Sequence, residues 1–133
     1  MKTLVIILVC AAGAITYFSF RPQAPAVTTY GDSASISQNV SQDSDRQIIL
    51  IQAKGGYAPR LTTAKAGVPT ILRVETNATF DCSSALRIPA LGYSGNLPPS
   101  GTTDIEVPAQ TAGTTLKALC SMGMYNFSID FKS

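Results

Sequence analysis

Short runs of alternating apolar and polar residues, repeatedly interrupted by Gly and Pro, fill the chain from residue 47 onward. In the last run Phe127, Ile129 and Phe131 alternate with Ser128, Asp130 and Lys132, a period of two that puts one face in a core and the other in water. Leu72 and Val74 against Arg73 and Glu75, and Ile105 and Val107 against Asp104 and Glu106, repeat the device. The runs 47–53, 61–64, 70–76, 102–107, 114–119 and 126–132 therefore predict half-buried antiparallel strands, and their number and punctuation predict an all-β sandwich or barrel. No long helical period occurs in this part of the chain.

The N-terminal end is different. Residues 3–20 carry no charge and lie between Lys2 and Arg21; as a helix they would span about 27 Å at ~1.5 Å per residue, just enough to cross a bilayer. The bulky Tyr17-Phe18-Ser19-Phe20 end is a poor peptidase site, which favours an uncleaved transmembrane helix with Cys10 as an apolar filler. Lys2 on one side against Arg21 on the other leaves the orientation open. Residues 22–46 are small and polar with few apolar side chains, the composition of a tether. The expected organisation is a membrane anchor over residues 1–21, a flexible linker over 22–46 and one β domain over 47–133.

Charge and composition exclude several functions. Ten basic against eight acidic side chains give a net charge of +2, too small and too scattered for nucleic-acid binding. The chain contains no histidine, which removes the commonest general base and the commonest ligand for zinc or oxidised copper. No nucleophile and base pair or carboxylate dyad replaces it, so an enzyme is not expected.

The chemistry concentrates in sulfur. Leu116, Ala118, Cys120, Met122 and Met124 share parity, so an extended path continuing through them would project a thiol and two thioethers on one side, with Gly123 free to turn between the methionines. Cys82 lies at an expected strand-to-loop transition after Thr79-Phe80-Asp81, where it could close over the same spot. Cys82, Cys120, Met122 and Met124 are thus the candidate metal ligands. Two thiolates and two thioethers without a nitrogen select a soft closed-shell ion, Cu(I), over zinc, and a blue-copper electron-transfer centre lacks its imidazoles. The plainer alternative is a Cys82–Cys120 structural disulfide in a membrane-tethered interaction module that holds no metal, its methionines packed as core filler.

Several segments together carry a family resemblance: Tyr57-Ala-Pro59, Ala66-Gly67-Val68-Pro69, Cys82, Leu86-Arg-Ile-Pro89, Leu97-Pro-Pro-Ser-Gly101, Gly113 and Cys120-Ser-Met-Gly-Met124. The chain resembles the cupredoxin-like domains found beside copper-exporting ATPases and in the EfeO-type group. With its N-terminal span it is similar to the membrane-anchored Cu(I) chaperones of streptococci. The resemblance implies a cupredoxin-like Greek-key β-sandwich behind one transmembrane helix, a single-pass cell-membrane protein with its domain in the cytoplasm. It further implies up to two Cu(I) ions, Cys82 and Cys120 bridging the deeper one while Met122 and Met124 supply a weaker, more exposed one. The partner it implies is a copper-transporting P-type ATPase or that pump's metal-binding domain, supplied by ligand exchange. Ser121, where many relatives carry Gly, and the longer polar tether are this chain's departures.

Overall fold

The computed structural model describes residues 36–133. The expected membrane anchor and most of the expected linker lie outside these residues, and among the described residues no helix is long and apolar enough to cross a membrane. Among the described residues ten strands occur in the order β1 (Val40–Asp43), β2 (Arg46–Ala53), β3 (Tyr57–Ala58), β4 (Leu61–Lys65), β5 (Thr70–Thr76), β6 (Ala85–Ile88), β7 (Tyr93–Asn96), β8 (Gly101–Val107), β9 (Thr115–Cys120) and β10 (Asn126–Lys132). Two short 3-10 turns, Cys82–Ser84 and Pro89–Leu91, flank β6. One sheet runs β1-β2-β5-β8 with β3 paired to β2, and the other runs β4-β10-β9-β6-β7.

Every run read from the alternation is a strand, and the inward face is mainly apolar, except in β4, which buries Thr62 and Ala64 and exposes Leu61. Ile49, Ile51, Leu72, Val74, Ile105 and Val107 from the first sheet meet Leu86, Ile88, Leu116, Phe127, Ile129 and Phe131 from the second in one core. Burying a side chain of this size contributes roughly 1.5–3 kcal/mol, so register is strongly specified: a one-residue slip would turn each inward set to water.

Two expectations need correction. The strands are not all antiparallel: β2 pairs parallel with β5, Gln47 opposite Thr70, and β4 pairs parallel with β10, Leu61 opposite Ser128. Alternation reports which face is buried and carries no information about the direction of a neighbour, and here the chain leaves the first sheet for β4 before returning as β5. Order also begins before Gln47. Val40–Asp43 forms an antiparallel ladder with β2, and Asn39 ties it in by donating from Nδ2 to the Leu50 carbonyl and to Thr62 Oγ1, both at 2.9 Å. Backbone pairing replaces the apolar burial this polar segment lacks.

Candidate metal centre

Two neighbouring elements of the second sheet create the site. Antiparallel β6 and β9 pair with Leu86 opposite Cys120, which brings the turn just ahead of β6 to the end of β9. Cys82 opens that turn, and Cys82 and Cys120 stand as a bonded pair with their Cα atoms 5.8 Å apart although 38 residues separate them in sequence. Cys120 is completely buried as the last inward residue of β9, whereas Cys82 is half-buried.

The Cys82 turn is held from several sides. Asp81 caps it: Oδ1 accepts from the Ser83 amide at 2.8 Å and from the Ser83 hydroxyl, and the Ser84 amide returns to the Asp81 carbonyl at 3.1 Å. The other carboxylate oxygen accepts from the Gly55 amide at 2.8 Å, linking the turn to the β2–β3 hairpin tip. Hydrogen bonds from the Ser83 hydroxyl, the Ser83 amide and the Gly55 amide hold the Asp81 carboxyl below its ordinary range. From inside the core the Tyr57 hydroxyl donates to the Ser83 carbonyl at 3.0 Å, while the Tyr57 ring meets Phe127 edge-on, centroids 5.1 Å apart. Burial, and secondarily the Asp81 charge, push the Tyr57 phenol up to about 12.

On the opposite side the chain turns between β9 and β10. Cys120 donates its amide to the Tyr125 carbonyl at 2.9 Å, Gly123 donates to the Cys120 carbonyl at 2.8 Å, and the Tyr125 amide points at Cys120 Sγ at 3.4 Å. Gly123 has φ +73°, a left-handed conformation that glycine adopts without a Cβ penalty. This turn overturns the expectation of an extended path through the methionines. Met122 is 76% and Met124 64% exposed, so neither continues the buried parity of β9 and neither is core filler. Phe80, two residues before Cys82, is 81% exposed.

Of the four sulfur residues singled out from sequence, the structure joins the two cysteines and sets both methionines at the surface on the adjoining turn. Among the described residues no group of three or more His, Cys, Asp or Glu side chains is placed to hold a metal. A site here would consist of the cysteine sulfurs and the thioethers, a set suited to Cu(I) and poor for harder ions. The sequence reading missed Asp81 as a supporting residue and gave Tyr57 no role. Asp81 was marked only by its residue type, since Asp is a favoured cap whose carboxylate accepts from a backbone amide two residues on; Tyr57 carried no local signal, because its partner lies in another part of the chain.

No family model matches the chain, and no curated protein matches it. Solved structures share its fold. The metal-binding domain of the Cu(I)-exporting P-type ATPase CopA of Streptococcus pneumoniae, solved with Cu(I), superposes with a TM-score of 0.64 at 21% identity, covering 71% of this chain and 93% of that one. A copper-binding protein solved by NMR in its apo form gives a TM-score of 0.65 at 24% identity over 73% of this chain and 98% of its own. These structural neighbours are copper-binding domains, and at such identities the likeness is one of fold.

Proposed function

We propose that the chain is a membrane-anchored Cu(I)-binding protein of cupredoxin-like type, acting as a chaperone or buffer that passes copper to an efflux ATPase or a similar acceptor. The observation that carries this reading is the exposure of Met122 and Met124 beside the Cys82–Cys120 pair. A structural disulfide needs no exposed thioethers next to it, whereas a transfer site needs weak ligands at the surface and strong ones behind them.

Copper binding requires the Cys82–Cys120 bond to be opened first by a dithiol reductant, which is oxidised to its own disulfide as the two cysteines become thiols. From there the chemistry is ligand exchange without catalysis on a substrate. An acceptor thiolate adds to copper at the exposed side, copper–thioether bonds break, and the remaining cysteine thiolates are displaced in turn. Copper stays Cu(I), and the proton lost by each incoming thiol balances the one regained by each departing cysteine. The exposed Met122 and Met124 side chains are open to an approaching acceptor.

The test is anaerobic titration of the reduced chain with Cu(I) against a competing chelator, with Cys82→Ser and Cys120→Ser as controls. Tight uptake abolished in both variants supports the reading; failure of the reduced chain to compete overturns it. The second reading, an interaction module without metal, is favoured by one observation: the 5.8 Å Cα separation lies in the range of an ordinary disulfide. Under that reading a thiol count on protein purified without reductant finds Cys82 and Cys120 oxidised, and the reduced chain takes up no copper.

A further inference from the structure

Beside the sulfur site, a cleft of about 420 Å³ opens between the β2–β3 hairpin tip and the start of β10. Lys54, Gly56 and Arg60 form one side, and Met124, Tyr125 and Asn126 the other. Both charged residues in its lining are cations, and no carboxylate contributes to it. Among the described residues the ion pair is Arg73 with Asp104, so neither Lys54 nor Arg60 is neutralised by an acid. Asp81 lies outside the lining, its oxygens bound to the Gly55 amide and to Ser83, and its negative charge at the hairpin tip offsets part of the positive charge of Lys54 and Arg60. Tyr57 also lines the cleft, but its buried hydroxyl is committed to the Ser83 carbonyl.

Gly56 lines the cleft with φ +124°, a conformation L side chains rarely adopt, and a Cβ there would make ordinary contact with the Tyr125 ring at 3.5 Å. Met124 places an exposed thioether in the wall. Whatever occupies the cleft is therefore drawn by two positive charges and lies against one of the candidate copper ligands.

We propose that this cleft binds a small anionic thiol, a low-molecular-weight compound carrying carboxylates, and that copper enters or leaves the protein as the Cu(I) complex of that thiol. The inference rests on the Cu(I)-binding reading given above. The carboxylates pair with Lys54 and Arg60, and the sulfur-bound copper then faces Met124. Met124 Sδ adds to copper to give a shared-ligand intermediate. A protein cysteine thiolate next displaces the small thiolate, which leaves with the proton the cysteine gave up. Copper remains Cu(I) throughout and no electron is transferred.

The experiment compares loading of the reduced full chain from Cu(I)–glutathione, an anionic thiol complex, and from Cu(I)–cysteamine, a cationic one, in the parent protein and in the K54Q/R60Q double variant. The variant is expected to lower the ratio of the two loading rates about tenfold at low salt, as the loss of two partly screened charge contacts implies. An unchanged ratio overturns the proposal. A metal-independent arm uses S-methylglutathione, which keeps the carboxylates and cannot ligate copper as a thiolate. It should shift the Gly56 and Asn126 amide resonances of the copper-free parent and leave those of the variant in place. No shift in the parent overturns the cleft as an anion site even where copper binds tightly. Shifts in a protein that accepts Cu(I) from neither thiol uphold the anion site and overturn the copper reading along with the delivery step.

Discussion

The Tyr57 hydroxyl donates a 3.0 Å hydrogen bond to the carbonyl of Ser83, so the residue following Cys82 is latched to the core of the opposing sheet. Asp81 grips the same turn from outside through Gly55 and Ser83. A half-buried cysteine on a short turn is thereby kept in position opposite Cys120 without relying on the cysteines themselves.

Tyr57→Phe should cost about 1–2 kcal/mol, because it leaves the buried Ser83 carbonyl without its donor. It also removes a pH dependence. Burial raises the Tyr57 phenol to about 12 against an ordinary value of 10, so the folded state prefers the neutral ring. The associated stability is complete below pH 10 and is lost as the pH rises from 10 toward 12, up to about 2 kcal/mol. Denaturant midpoints measured at pH 8 and pH 11 should therefore converge more closely in Tyr57→Phe than in the parent. An equal alkaline loss in both proteins would show that Tyr57 does not carry the effect.

Under the proposed function, Met122→Ala combined with Met124→Ala should slow copper transfer to an acceptor while leaving one tightly held ion, because that reading makes the exposed thioethers the weaker ligands. Cys82→Ser or Cys120→Ser should abolish tight binding. Stopped-flow transfer together with a chelator titration separates these outcomes; equal loss of all copper in the methionine variant contradicts the division between strong and weak ligands.

Phe127 is fully buried and meets the Tyr57 ring at 62°, joining the sheet that carries Cys120 to the hairpin that supports Cys82. Phe127→Ala should destabilise the domain by about 3–5 kcal/mol through lost transfer energy and the cavity left behind. Its urea midpoint is expected to fall steeply, with copper affinity falling in parallel. A midpoint close to that of the parent would mean that the core collapses to fill the gap.

Arg73 on β5 lies directly opposite Asp104 on β8, and the guanidinium makes bonds of 2.8 and 2.7 Å to the two carboxylate oxygens. The hydrogen bond from Arg73 holds the Asp104 carboxyl below its ordinary value. Its contribution is present above the unfolded aspartate pKa and is lost as the pH falls through the lower folded value. Both side chains are well exposed, so the pair is screened. At low salt Asp104→Asn should lower stability slightly above the ordinary aspartate pKa and converge with the parent as the pH falls toward 2, with no measurable difference in molar salt, as thermal unfolding between pH 2 and pH 6 would show.

The strands were legible because burial of one sheet face writes a period of two directly into β2, β5, β8, β9 and β10. The sulfur cluster was legible because three sulfurs crowd one short segment and no histidine competes with them. What remained hidden were relationships without local cause. Val40–Asp43 reads as polar tether because its order comes from the ladder with β2. The parallel pairings depend on where the chain returns after changing sheets.

Alone, the sequence determined that this chain builds a β domain with an inward, mainly apolar face and that its sulfur atoms are concentrated at Cys120, Met122 and Met124, with no histidine anywhere. The tertiary structure decided that Cys82 meets Cys120, that Met122 and Met124 leave the strand for the surface, and that Lys54 and Arg60 share a cleft with Met124. The physical reason is that side-chain alternation is a property of one strand. Which residues come together at a sheet's end is set by strand order, register and turns, and these come from pairing between segments far apart in the chain.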